Sequence, residues 1–231
     1  MFYLEYYFLW LTLSVACGNA LLPANSNCDI ENTTVRMVQV LFRHGDRAND
    51  VATVYPNDPY INETYEPYGI GQLTNAGKQR EFMIGGYLFE KYYSLLQGLC
   101  KVNEIEAIST DMSRTKMSLL LVLAGLCPSR GTVFDWNKWL NWQPIPYNYI
   151  PFGQDNLLTI PLFYCPNYIK LYNNYLESPP GKQIQEKYKD LYLYLTRHTG
   201  MTINSTLDVM LIYFGLYCEV SYPIKRIFII C

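Results

Sequence analysis

Histidine is scarce in this chain: His44 and His198 are the only two in 231 residues. Basic excess is missing as well. Eighteen lysines and arginines stand against 20 acidic residues, scattered along a chain of formal net charge -2, which leaves no electrostatic footprint for nucleic acid. Seven cysteines are present, yet no CxxC pair and no Cys/His ligand spacing occurs, so a zinc framework is not expected; no other metal and no cofactor is assigned. No apolar run is long enough for a stable membrane span, and internal repeats and low-complexity tracts are lacking. What remains is a half-apolar chain of a size for one large domain, or one domain and a lobe.

The first apolar segment, Phe8 to Ala16, is followed by the small residues Cys17, Gly18 and Ala20. This matches the hydrophobic and cleavage regions of a secretory signal peptide, expected over residues 1–20, although the positions before it hold Glu5 and no Lys or Arg. The alternative is a buried apolar helix. Three glycosylation sequons, at Asn32, Asn62 and Asn204, agree with export. Leader and sequons together predict a secreted or lumenal glycoprotein of the secretory pathway or lysosome, in a compartment where disulfides are plausible.

The chemically dense stretch is Arg43-His44-Gly45-Asp46-Arg47, behind the apolar run Met37 to Phe42. Such a run ending in a glycine and a charge cluster predicts a buried parallel strand with a functional loop at its carboxyl end. Guanidinium groups grip phosphate oxygens in pairs, and a neutral imidazole is a nucleophile, so the combination points to phosphoryl transfer to histidine. A solvated charged turn is the alternative. A long surface loop is expected from Asn49 to Tyr68, then a helix capped by Thr74 that runs through Phe82, Leu88 and Leu95. A second short strand, Ile105 to Ile108, leads into Ser109 to Thr115 and a fully buried helix over Met117 to Leu126. Arg114, at the start of that helix, could join Arg43 and Arg47 around one anion, or be an ordinary surface arginine. Beyond Cys127 an irregular, aromatic-rich stretch precedes helices predicted over Gln183 to Met201 and Asp208 to Tyr217; His198 reads as a surface or half-buried helix residue. Ile227 to Cys231 is strand-like.

In this order, Arg43 to Arg47, Tyr55 to Pro59, Gly69 to Thr74, Ser109 to Thr115, Trp142 to Pro146 and Leu216 to Glu219 resemble the motifs of the histidine acid phosphatases, in their prostatic, lysosomal and insect-venom branch. The resemblance implies a doubly wound α/β domain with an inserted helical lobe. It implies that His44 attacks a phosphomonoester to form a phosphohistidine that water hydrolyses, and that Arg43, Arg47 and Arg114 bind the phosphate. Asp46 would orient the loop. Ile108 departs from the pattern, since many relatives carry arginine there. The family's later His-Asp element and later strands are not met in the sequence, so a C-terminally truncated phosphatase is expected, with impaired turnover. Cys165 and Cys218 match family cysteines whose partners lie in that later part, while Cys28, Cys100, Cys127 and Cys231 receive no partner.

The expected organisation is a signal peptide over 1–20, the N-terminal part of the phosphatase domain over 33–127, an aromatic-rich helical lobe over 128–219 and a divergent tail over 220–231. The substrate would be a small phosphomonoester or a phosphoprotein; no oligomeric state is assigned. The alternative function is a non-catalytic secreted glycoprotein with a residual anion pocket, and a third outcome is a product without a stable fold.

Overall fold

A computed structural model describes residues 35–159 and 165–221. The expected leader, Asn32, Cys28, the strand-like Ile227 to Cys231 and most of the divergent tail lie outside the described residues.

Two helices form the frame of the N-terminal half. Helix α1, Asn75–Lys91, begins where Thr74 Oγ1 accepts the Gly77 N–H at 3.1 Å, a cap that contributes about 1 kcal/mol. A short helix α2, Tyr93–Leu96, follows and stops at Gln97, which takes the left-handed conformation. Strand β1, Ile108–Thr110, leads into helix α3, Ser113–Leu126, and strand β2, Asn148–Ile150, then returns beside β1. The strands are parallel, with Ser109 opposite Tyr149, so α3 is part of the crossover that a parallel pair needs. Beneath them Ala107, Leu119, Leu123 and Ile145 pack around the Cys100–Cys127 disulfide, with Phe42 against the cluster. Closing a loop of 27 residues in the unfolded chain makes such a bridge worth about 3 to 4 kcal/mol on the chain-entropy account.

The C-terminal half is helical: α4 Pro166–Glu177, α5 Pro179–Lys187, α6 Lys189–Thr199 and α7 Thr206–Ser221. Tyr192, Ile203 and Ile212 join α6 to α7 in a second core. Helix α7 then reaches back to the N-terminal half, where Gly215 faces the Thr53 carbonyl. Among the described residues no helix is long and apolar enough to cross a membrane.

Several expectations need correction. Among the described residues the Met37–Phe42 run is neither buried nor paired in a sheet: Met37 is 71% and Leu41 67% exposed, while Val38, Val40 and Phe42 are half-buried. Burial alternates because described residues cover only one side of the run. Helix α3 is buried on one face, not all round; Leu119, Val122 and Leu123 are covered, and Leu120 is 40% exposed. The second strand starts at Ile108 and runs to Thr110, three residues later than expected. Gln183 to Met201 is two helices broken at Tyr188, and α4 forms within the stretch expected to be irregular.

Candidate active site

The 43–47 loop is held against α1 and α3 by its backbone. Gly45 N–H donates to Ser118 Oγ at 3.2 Å, and that hydroxyl donates to the Arg114 carbonyl at 2.8 Å, which ties the loop to the first turns of α3. On the other side Thr74 N–H donates to the Asp46 carbonyl at 2.9 Å, and Arg47 bridges antiparallel to Leu73. The approach is so close that a Cβ on Gly45 would lie 2.6 Å from the Gly77 carbonyl oxygen, and one on Gly77 2.2 Å from that of Asp46. Glycine at both places lets the loop lie on the N-terminal turn of α1. The Asp46 carboxylate turns outward to Arg80 at 2.9 Å, so Asp46 braces the loop.

His44 is half-buried, with Nδ1 2.9 Å from the Gly45 carbonyl oxygen. A carbonyl only accepts, so Nδ1 carries the proton in the neutral ring and the lone pair lies on Nε2. Burial is the main cause that pushes the His44 pKa down from 6.5 to about 4; the positive charges of Arg43, Arg114 and Arg47 push the same way, against the Gly45 carbonyl. The imidazole is therefore neutral in mildly acidic solution.

The charges of Arg43, Arg47 and Arg114 all bear on the His44 ring, so the four residues share one neighbourhood. Arg47 is buried, donates through Nη1 to the Ala48 carbonyl at 2.8 Å, and among the described residues has no partner at Nε. Arg114 donates through Nη1 to Asp50 Oδ2 at 2.9 Å, and its buried Nε also lacks a partner among the described residues. Arg43 is exposed, its guanidinium 5.1 Å from the centre of the Phe214 ring on α7. Cys218, a free and buried thiol, lies near the same charges; burial raises its pKa and the arginines oppose the rise. A cavity of about 730 Å³, lined by the 37–42 run, Ile108, Ser109 and Thr110, opens beside His44. His198 stands apart, exposed on α6 against the Tyr194 ring. Asn62 and Asn204 are both exposed. Sequence reasoning missed Asp50, Ser118 and Phe214, none of which carries a local motif.

The Asn49 to Tyr68 loop is anchored to the end of α7. Asn49 Nδ2 donates to Glu219 Oε1 at 2.8 Å, and Asn49 Oδ1 accepts from Thr53 Oγ1 at 2.6 Å. Burial raises the Glu219 pKa from 4.5 to about 7, with the hydrogen-bonded Asp58 carboxyl adding to the rise and Asn49 opposing it. The buried Glu81 is likewise raised from 4.5 to about 7, chiefly by burial. Between those values the folded chain holds protons that the unfolded chain has released, so both carboxyls make stability fall as pH rises from 4.5 to about 7. His44 acts oppositely between about 4 and 6.5, but it is one group against two. The urea midpoint is thus expected to be lower at neutral than at mildly acidic pH, and Glu219→Gln and Glu81→Gln are each expected to flatten the profile. A midpoint that rises with pH would contradict this.

Residues 34–198 match the histidine phosphatase superfamily (branch 2). The chain is 38% identical over 193 residues to venom acid phosphatase Acph-1 of Apis mellifera, covering 81% of this chain and 48% of that protein. It is 36% identical over 186 residues to prostatic acid phosphatase of Bos taurus (80% and 47%) and 34% identical over 192 residues to lysosomal acid phosphatase of Homo sapiens (83% and 44%). The chain spans about half the length of the curated relatives it matches. Because the match takes in the whole 43–47 loop together with Arg114, the sequence and the site agree that this chain belongs to branch 2 of the histidine phosphatase superfamily.

Proposed function

We propose that the chain carries the nucleophile and phosphate cradle of an acid phosphatase acting on small phosphomonoesters or phosphoproteins. His44 Nε2 attacks phosphorus, the ester P–O bond breaks, and the alcohol leaves; water then hydrolyses the phosphohistidine to inorganic phosphate. Arg43, Arg47 and Arg114 hold the phosphoryl oxygens and offset the charge that develops in transfer. The observation that carries this reading is the His44 ring with Nδ1 at the Gly45 carbonyl oxygen and its lone pair on Nε2, in the field of the Arg43, Arg47 and Arg114 charges, since a protonated ring has no lone pair for attack. Among the described residues no His-Asp pair accompanies His44, so protonation of the leaving group is assigned to none of them. An ester with a poor leaving group should then turn over about 10² to 10⁴ times more slowly than with a positioned acid.

As its frame we propose the family's doubly wound sheet, with 33–127 in the phosphatase domain, 128–219 as the helical lobe and 220–231 as a divergent tail. Export through a leader over 1–20, with glycans at Asn32, Asn62 and Asn204, is supported by the exposure of the last two.

Trapping the intermediate tests the chemistry. With a radiolabelled aryl phosphate at about pH 5, quenching in alkali, which preserves phosphohistidine, should leave label on the peptide containing His44. Label elsewhere would refute the assignment. Saturable phosphate binding without label would favour a non-catalytic anion-binding glycoprotein, a reading supported by the lack of a leaving-group acid among the described residues.

A further inference from the structure

Arg114 reaches the cradle from α3 and has strong reasons to leave it. Burial disfavours its charge, and the neighbouring guanidinium of Arg47 repels it. The charge that opposes both is Asp50, 2.9 Å from Nη1, and each side chain of the pair is only about one-fifth exposed: 18% for Arg114 and 20% for Asp50. Asp46, the acid inside the 43–47 motif, is turned away to Arg80. We propose that Asp50 is the positioning residue for Arg114, an inference that rests on the reading of Arg114 as a phosphate ligand.

Asp50 is itself held on three sides. Its N–H donates to Asn49 Oδ1 at 2.9 Å, and its carbonyl accepts from Thr53 N–H at 2.9 Å and Thr53 Oγ1 at 3.0 Å. Gly71 closes over the ion pair, where a Cβ would lie 3.3 Å from Asp50 Oδ2 and 3.5 Å from Arg114 Nη1. The same Asn49 side chain reaches Glu219 on α7, so the carboxylate is braced from the far end of the described chain. A guanidinium is a rigid planar fork of five N–H donors, and holding one end fixes the plane of the rest. Asp50 takes Nη1, and the 18% of the Arg114 side chain that stays exposed leaves part of the fork open to a phosphoryl oxygen.

The opposite role would be competition, with Asp50 occupying a donor that phosphate must recover. The two roles differ in sign. If Asp50 positions Arg114, Asp50→Ala weakens inorganic phosphate binding about tenfold, the loss of one charge-assisted hydrogen bond, and raises KM for an aryl phosphate by a similar factor with little change in kcat. Asp50→Asn keeps an acceptor for Nη1 and restores most of the affinity, and in an Arg114→Ala background Asp50→Ala has no further effect. Calorimetry with inorganic phosphate on the full chain, with urea midpoints for each variant, reads all of these. Tighter or unchanged binding in Asp50→Ala overturns the proposal, as does a loss that persists without Arg114 or that Asp50→Asn fails to restore. If Arg114→Ala itself leaves binding unchanged, the phosphate-ligand reading fails first and this one with it. If phosphate binds but no phosphoenzyme forms, only the catalytic reading fails.

Discussion

Replacing His44 by alanine is expected to abolish the phosphoenzyme and lower turnover roughly 10³-fold or more, while leaving the protein as stable as before, or more so, in mildly acidic solution. The loss follows from placement: among the described residues the one other imidazole, His198, sits exposed on α6 against Tyr194 and away from the 43–47 loop, and removing the nucleophile of a covalent mechanism typically costs at least this much. The stability result follows from linkage. In the folded chain His44 resists protonation until about pH 4, whereas the unfolded imidazole takes up a proton near 6.5, so the residue lowers stability as pH falls through that interval. Alanine removes the penalty. A urea midpoint at about pH 5 that matches or exceeds wild type, together with absent turnover, would show that the site holds His44 for chemistry at some cost in stability. Turnover within tenfold of wild type would refute the assignment, and a lower midpoint would mean that the ring contributes packing which outweighs its burial among positive charges.

How much of this was legible in the sequence depended on the range of each interaction. Thr74 was readable because a cap is decided within a few residues, and it stands at the start of α1. Arg43, Arg47 and His44 were readable because they are neighbours, and Arg114 because a strand-to-helix junction places its residues near a common edge. The Met37–Phe42 run was misread because apolar length reports what a segment can bury, while actual burial depends on what covers it; here only one side is covered by described residues. Helix α4 was obscured by its setting, although Pro166 in the first turn is a normal helix start. The break at Tyr188 leaves the apolar spacing of α5 and α6 almost continuous, so the pattern read as one helix. The Cys100–Cys127 bridge, and the contacts of Asp50 with Arg114 and of Ser118 with Gly45, join residues 27, 64 and 73 positions apart. No periodicity encodes such pairs; they exist only once α1 and α3 have packed.

That packing leads to the second large effect, expected at two glycines far from the chemistry. In an isolated helix alanine is about 1 kcal/mol more favourable than glycine, so Gly85→Ala in α1 and Gly125→Ala in α3 would stabilise the chain if helix propensity decided the outcome. Here it does not. A Cβ on Gly85 would stand 2.1 Å from the Val122 carbonyl oxygen, and one on Gly125 2.1 Å from that of Phe82. These are backbone atoms that no rotamer change can move aside, so the helices must separate along their contact. Each substitution is expected to destabilise by about 3 kcal/mol or more, at or beyond the upper end of ordinary overpacking. Gly86→Ala is the internal control: its added methyl meets nothing within 4 Å, so the intrinsic gain of up to about 1 kcal/mol should appear. Denaturant midpoints for the three variants check the ordering, and a Gly125→Ala protein as stable as wild type would mean that the close crossing is not maintained in solution. The effect should extend to the site. The 43–47 loop hangs between these helices, joined to α1 through Asp46 and Thr74 and to α3 through Gly45 and Ser118. Any separation must stretch one attachment or the other, so Gly125→Ala is expected to weaken inorganic phosphate binding even under conditions where the variant remains fully folded.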